Sequence, residues 1–357
     1  MSELVDKPRG IREGEELDLE PLAAYLREHI DEIGGHAELS IEQFPSGHSN
    51  LTYLVRAGGR GYVLRRPPFG SKVKTAHDMG REYRILSKLH AVYPLAPEPL
   101  VYCEDGSVLG AKFYVMRRIE GIILRKKLPP GLSMSPEQMR RLDETLIDNL
   151  AVLHGLDYAQ AGLGDLGKPA GYIERQVTGW TKRYHASQTD QIDSVDRVAK
   201  WLAETMPAES GAALIHNDYK LDNVVLAPAD PTRIIGVLDW EMSTLGDPLM
   251  DLGTSLSYWV QADDGDVFQQ VSMGPTMVPG SMTRRELADR YAEKTGRDVS
   301  NIQWFYCFGL FKTVAVLQQI YYRYKQGLTK DERFAPLILL VGMLCDRAVE
   351  SIEKNSI

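Results

Sequence analysis

Cysteine is scarce in these 357 residues: Cys103, Cys307 and Cys345 stand far apart, with no CxxC pair among them. That excludes a disulfide framework and a thiolate zinc site, and the expectation is reduced thiols in a cytoplasmic protein. Long apolar runs are also missing. The longest strongly apolar stretch, Phe334 to Cys345, is too short to span a bilayer and predicts a buried helix. The opening residues, MSELVDKPRGIREGEELDLE, are charged throughout and lack the apolar centre of a signal peptide, so secretion is not expected. Internal repeats, low-complexity tracts and a GxSxG elbow are absent too. Positive charge is in deficit: 41 Lys+Arg against 49 Asp+Glu leave a formal charge of −8, which argues against nucleic acid or a membrane surface as partner.

A hydrophobic fraction of 43% over this length is enough for about two packed domains. The charge is unevenly spread. From Phe44 to Glu120 there are 12 basic and 6 acidic residues, leaving 29 and 43 elsewhere. One region suits phosphates while the rest repels them.

Asp18 caps a helix expected over Leu19 to Ile33. Short β-branched and aromatic segments at Glu38 to Phe44, Asn50 to Arg56 and Gly61 to Arg66, separated by PSGHS and AGGRG turns, predict an antiparallel meander. A helical stripe over Ala76 to His90 and strands at Leu100 to Cys103 and Ala111 to Met116 complete a small α+β region. From Ser135 the pattern is mainly helical, interrupted by a strand-rich stretch from Ala212 to Leu238. Met273 to Ser281, rich in Gly, Pro and Met, predicts a loop near the surface or at a pocket rim. The expected division is a smaller part, residues 1–118, and a larger one, residues 119–357.

Chemistry concentrates in Leu214-Ile215-His216-Asn217-Asp218-Tyr219-Lys220-Leu221-Asp222-Asn223 and in Ile234-Ile235-Gly236-Val237-Leu238-Asp239-Trp240-Glu241. Apolar strand residues deliver Asp218 and Asp239 at strand ends. A hydroxyl attacking a terminal phosphoryl group needs a carboxylate to orient it and accept its proton, and Mg²⁺ bridging phosphates needs hard oxygen ligands. Asp218 fits the first need, Asn223 and Asp239 the second.

HNDYKLDN at 216–223, LDWE at 238–241 and GDPLMDLG at 246–253 resemble the aminoglycoside phosphotransferase and choline kinase branch of the protein-kinase-like fold, over roughly Phe44 to Trp259. LRRPP at 64–68, REYRIL at 81–86 and RQVTGW at 175–180 are similar, more narrowly, to the kinase-like domain found fused to certain acyl-CoA dehydrogenases and its free-standing bacterial relatives. The resemblance implies a two-lobed α+β fold: a small antiparallel-sheet N-terminal lobe and a larger, mainly helical C-terminal lobe. It implies Asp218 as catalytic base, Asn223 and Asp239 as Mg²⁺ ligands, and Lys220 as a contact to the transferred phosphoryl group. His216 is expected to be structural, and Asp247 and Asp251 to hold the active-site segments by hydrogen bonds.

For the nucleotide, the resemblance implies a phosphate loop at Ser46, Gly47, His48, Ser49 and Asn50. It implies Arg65 where the family carries lysine, with Glu82 as its partner, and a hinge for the base at Met116, Arg117, Arg118 and Ile119. Arginine holds phosphate oxygens with a bulkier fork than lysine. Lys72 and Lys74 form a basic cluster with Arg65 and Arg66, either a solvated face or a contact to phosphates of a nucleotide or a CoA-type acceptor.

Some patterns are set aside. Gly162 to Lys168 satisfies GxGxxG, but a helix rather than a strand precedes it and Pro169 stands where a P-loop needs Ser or Thr. His154 and His185 lack partners at metal-ligand spacing and read as core or cap residues. Tyr321, Tyr322 and Tyr324, with Trp304 and Trp259, sit at helical spacing and read as core before pocket.

The leading reading is a Mg²⁺-dependent small-molecule kinase using ATP or GTP and an acceptor hydroxyl, either an aminoglycoside-like amino sugar or a hydroxyacyl-CoA. A nucleotide-binding pseudokinase without turnover is the alternative, supported by Arg65. A protein kinase is disfavoured, because no APE-like element follows Asp239 before GDPLMDLG.

Overall fold

The computed structural model describes residues 4–45, 50–69, 78–265, 268–269 and 272–357. It forms two compact units: Met1–Ile123 with Gln160–Leu163 and Asn223–Glu241, and Leu124–Ala159 with Gly164–Asp222 and Met242–Ile357.

The first unit opens with α1 (Leu19–His29), whose first turn is capped by the Asp18 carboxylate accepting from the Glu20 N–H. Strands β1 (Ser40–Gln43), β2 (Leu51–Ala57) and β3 (Arg60–Arg66) follow, then α2 (Met79–Leu89), capped by Asp78. β4 (Pro99–Cys103), the single-turn α3 (Gly106–Leu109) and β5 (Phe113–Arg117) complete a five-stranded antiparallel sheet in the order β1-β2-β3-β5-β4.

The register sorts the two faces. Tyr53, Leu64 and Val115 are cross-strand partners and pack with Leu22 and Leu26 of α1 in one apolar cluster. Fully burying each such side chain is worth roughly 1.5–3 kcal/mol. Thr52, Arg65 and Tyr114 are partners one position along and therefore point to the opposite face. That parity puts Arg65 on the face where α2 supplies Glu82.

The unit also takes in a hairpin, β7 (Val224–Ala227) and β8 (Asp230–Val237). Ile122 and Leu226 bond to each other's backbone, and the Val237 N–H donates to the Leu95 carbonyl at 2.7 Å. Gly121 is required here, because a Cβ would overlap the Leu226 carbonyl.

The second unit comprises α4 (Pro136–His154), α5 (Tyr172–Ser187), α6 (Asp193–Glu204), the short pair β6 (Ala213–Ile215) and β9 (Thr244–Gly246), and α7 (Pro248–Ser257). It ends with α8 (Arg284–Thr295), α9 (Ile302–Lys325) and α10 (Leu337–Lys354). A capping box, Ser135 with Gln138, starts α4, and a second, Thr283 with Glu286, starts α8. Helix α9 is the core of the unit, burying Phe305, Phe308, Leu310, Phe311, Val314 and Ala315. It crosses α7 glycine to glycine: a Cβ on Gly253 would overlap the Phe305 carbonyl, and one on Gly309 would overlap that of Gly253.

The single-turn α3 and strand β9 go beyond the sequence expectation, both being too short for a periodic pattern. A correction concerns Phe334 to Cys345. It is not a wholly buried helix: Val341, Leu344 and Cys345 are buried, but Leu339 is 67% exposed. The helix is one-sided, and its Leu-rich pattern hides this. All three cysteines are free and buried, and among the described residues no helix is long and apolar enough to cross a membrane.

Candidate active site

In the first unit the antiparallel hairpin brings its two ends together. Val224 pairs with Val237, and the Leu238 N–H donates to the Asn223 carbonyl at 2.8 Å. Asn223, just before β7, and Asp239, just after β8, thus become neighbours although sixteen positions apart. Asp239 has φ 68°, a left-handed backbone that a non-glycine residue adopts at a cost.

Beside them Arg65 is 8% exposed, and its guanidinium meets three carboxylates: Glu82 at 2.9 Å, Asp239 at 3.2 Å and Glu241 at 3.4 Å. Burial alone would lower the Arg65 pKa. The Glu82 carboxylate, followed by Tyr114, Asp239 and Glu241, more than reverses this and raises it well above its ordinary value. Burial pushes the Glu82 carboxyl up, with Arg65 opposing.

The Asn50 amide donates to Glu241 at 2.7 Å, and Arg81 donates to the Glu241 carbonyl at 2.8 Å. Glu241 was missed as a site residue, although it stands in the LDWE segment that signalled the site. Of the predicted phosphate loop only Asn50 is described; Ser46, Gly47, His48 and Ser49 lie outside the described residues, as do Lys72 and Lys74.

The hinge segment ends β5. Met116 is buried, Arg117 forms ion pairs with Glu98 at 2.6 Å and Glu32 at 3.0 Å, and Arg118 pairs with Glu120 at 3.0 Å. The Arg117 and Arg118 N–H groups donate to the Glu98 and Gly61 carbonyls. Ile119 packs on Gly236, where a Cβ would not fit.

In the second unit β6 delivers His216, Asn217 and Asp218. The buried Asp251 carboxylate accepts from the His216 and Asn217 N–H groups at 2.6 and 2.7 Å, and contacts His154 Nε2 at 3.1 Å. Burial would raise the Asp251 pKa, but the His154 contact and the two backbone donors hold it below the usual range. Asp247 caps α7 at Leu249 and accepts from the Ser210 N–H and hydroxyl.

Asn217 is left-handed, φ 69°. The Tyr172 hydroxyl donates to its side-chain oxygen at 3.3 Å, its amide donates to the Met242 carbonyl at 3.0 Å, and its own carbonyl accepts from Lys312 at 2.7 Å. His216 is fully buried, and its Nδ1 accepts from the Asp218 N–H at 3.2 Å.

The Asp218 carboxylate itself is 18% exposed and accepts from Lys220 Nζ at 2.7 and 2.9 Å. Lys220 also lies 4.9 Å from the centre of the Tyr258 ring. Burial, then the adjoining Asp218 carboxylate, pushes the Tyr258 phenol well above its ordinary range. A cleft opens on Lys220 and Tyr258. Its other walls are mostly apolar, among them Leu146, Leu221, Leu256, Trp259 and Leu287.

Tyr258, Ser255 and Lys312 were also missed, because each sits in an apolar helical context with no motif around it. Trp259 lines the cleft, whereas Trp304 and Tyr321 are buried in α9.

Arranged this way, the second unit presents a carboxylate beside an ammonium and a cleft, and the first presents an amide and a carboxylate beside a buried guanidinium. The sequence profile of the phosphotransferase enzyme family, APH, matches residues 40–287, and the chain belongs to that family. It is 36% identical over 326 residues to acyl-CoA dehydrogenase family member 11 of Rattus norvegicus, covering 88% of this chain and 41% of that protein. The chain thus spans about two fifths of the length of such relatives. A Ralstonia eutropha JMP134 crystal structure, provisionally assigned as an aminoglycoside phosphotransferase, is 31% identical with a TM-score of 0.77, covering 94% of this chain and 99% of that one. Two more distant structures share the fold. Choline kinase from Cryptosporidium parvum is 12% identical, TM-score 0.65, covering 95% of this chain and 97% of that one. The aminoglycoside phosphotransferase APH(4)-Ia with ADP and hygromycin B is 16% identical, TM-score 0.60, covering 92% and 97%.

Proposed function

We propose that the chain is a cytoplasmic, Mg²⁺-dependent small-molecule kinase that transfers the γ-phosphoryl group of ATP or GTP to an acceptor hydroxyl. The observation that carries this reading is the pairing of Asn223 and Asp239 by one hairpin, with Asp239 held in a left-handed backbone beside a buried guanidinium. An amide oxygen and a carboxylate are the hard donors that Mg²⁺ takes together with phosphate oxygens and water. Bound there, the ion would supply charge neutralisation on the phosphates.

This chain's own residues do the rest. Asp218 accepts the acceptor's proton, and Lys220, held by that carboxylate, offers positive charge to the phosphoryl oxygens. Arg65, kept in place by Glu82, binds phosphate, with Asn50 and the 46–49 segment as further phosphate contacts and 116–119 as the hinge for the base.

For the acceptor, the cleft beside Lys220 carries no carboxylate among its described lining residues. This favours a hydroxyacyl thioester over a polycationic amino sugar, in keeping with the dehydrogenase-named relatives. Arg65 in place of lysine is the feature that favours nucleotide binding without turnover.

Thermal unfolding with ATP and GTP, with and without Mg²⁺, tests the reading on wild type and Asp239→Ala. Magnesium-dependent stabilisation that the variant loses is the expected result. Absence of stabilisation by either nucleotide at millimolar concentration overturns it, and stabilisation without transfer to any hydroxyacyl or amino-sugar acceptor identifies a pseudokinase.

A further inference from the structure

Next to the cleft at Lys220 is a second cavity, and Tyr258 and Met273 line both. Val260, Phe268, Leu317, Leu340, Met343 and Leu344 form most of the second cavity, from the segment after α7 and from α9 and α10. Of its three hydroxyl-bearing residues, Ser257, Tyr258 and Thr313, two donate within their own helices. Ser257 donates to the Thr254 carbonyl at 2.7 Å and Thr313 to that of Gly309 at 3.1 Å. With mostly apolar walls and no charged side chain among its described lining residues, the chamber suits an apolar group better than a charged one.

The first chamber differs. Lys220 and Ser255 line it and not the second, and the Ser255 hydroxyl oxygen is buried with no hydrogen-bond partner. A buried hydroxyl in that state has capacity left for a ligand. Lys220 thus gives one chamber a charged end at the catalytic loop, whereas the adjoining one is mostly apolar and has no charged side chain among its described lining residues. The partition is adaptable on one side, because Met273 is 40% exposed and methionine is unbranched with several rotatable bonds.

We propose that the second chamber is an acceptor subsite for an unbranched alkyl chain that runs from Lys220 and Ser255 past Tyr258, and that Tyr258 and Met273 determine the chain length admitted. The acceptor is then a hydroxylated molecule with its polar end at the catalytic loop and its tail beneath α10. The one-sidedness of α10 has a use on this account: Leu340, Met343 and Leu344 serve as a wall for the ligand. The subsite deepens the kinase reading by assigning a tail-binding region to the acceptor, but its own binding can be measured without nucleotide.

The test is calorimetric titration of the full chain with primary n-alkanols from butanol to nonanol, without nucleotide, for wild type and for Leu340→Trp and Leu317→Phe. The two substitutions fill the chamber from different helices, so one folded variant is enough. Wild-type affinity is expected to rise about fourfold per added methylene, and in a filled variant the rise should stop at a shorter chain while butanol binding is unchanged. No gain with chain length in wild type, or the same gain in wild type and in a folded filled variant, overturns the proposal. Chain-length-dependent binding without Mg-nucleotide stabilisation upholds the subsite and fails the kinase reading; nucleotide stabilisation without alkanol binding does the reverse.

Discussion

The Lys312 ammonium lies 2.7 Å from the carbonyl oxygen of Asn217, the left-handed residue that immediately precedes Asp218. Lys312 is buried in α9, and burial pulls its pKa down to about 8, with the Asp218 and Asp251 carboxylates opposing and Lys220 adding to the fall. In an unfolded chain lysine titrates near 10.4, so the native state binds fewer protons than the unfolded one between about 8 and 10.4. Stability attributable to Lys312 therefore rises with pH across that window. The cost of the charged form, about 3 kcal/mol, is fully present below pH 8. Urea unfolding at pH 7 to 10 should show wild type gaining on Lys312→Met as pH rises, and parallel curves would refute the buried charge.

Arg65 balances Glu82, Asp239 and Glu241 at once. Removing one partner of a buried charge cluster strands the others. Arg65→Met is expected to lose about 3–5 kcal/mol of stability in chemical denaturation, and Arg65→Lys appreciably less, since it keeps the charge. Equal losses in the two variants would show that packing, not charge, explains the site.

The Asp218 carboxylate faces Lys220 and Tyr258. Asp218→Asn should therefore fold normally and bind Mg-nucleotide within about a factor of two, while transfer to an accepted hydroxyl falls about 10²- to 10⁴-fold. Transfer at the wild-type rate removes Asp218 from the role of base.

Asp143 in α4 accepts from the Met282 N–H at 2.8 Å, while its other oxygen is buried without a partner. Burial raises its pKa to about 8. The native state then holds a proton that the unfolded state releases near pH 3.9, so Asp143 stabilises least above pH 8 and its penalty fades as pH falls toward 4. Asp143→Asn should raise Tm at pH 8.5 and have little effect at pH 4.5. An unchanged Tm at pH 8.5 would show that burial does not penalise the charged carboxylate.

Much of the architecture was legible because long periodic segments dominate it: α2 lies within a few residues of its expected bounds, and the mainly helical pattern expected from Ser135 holds in α4, α8 and α9. Asn223 and Asp239 were legible too, because a turn-linked pair of apolar strands forces their ends together. Ser255, Tyr258 and Lys312 were not. Each matters through what faces it across the unit, and a polar residue in an apolar helix looks the same in sequence whether it is idle or bonded to a loop a hundred positions away. The chambers on either side of Tyr258 were hidden for a related reason, since their walls are ordinary core residues.

The glycine crossing of α7 and α9 has a bearing on the catalytic loop as well as on packing. Helix α7 carries Asp251 and α9 carries Lys312, and both hold the backbone just before Asp218. A methyl group at Gly253 or Gly309 acts as a wedge between the two holders. An alanine at either position is then expected to displace the backbone just before Asp218 without touching the Asp218 carboxylate itself.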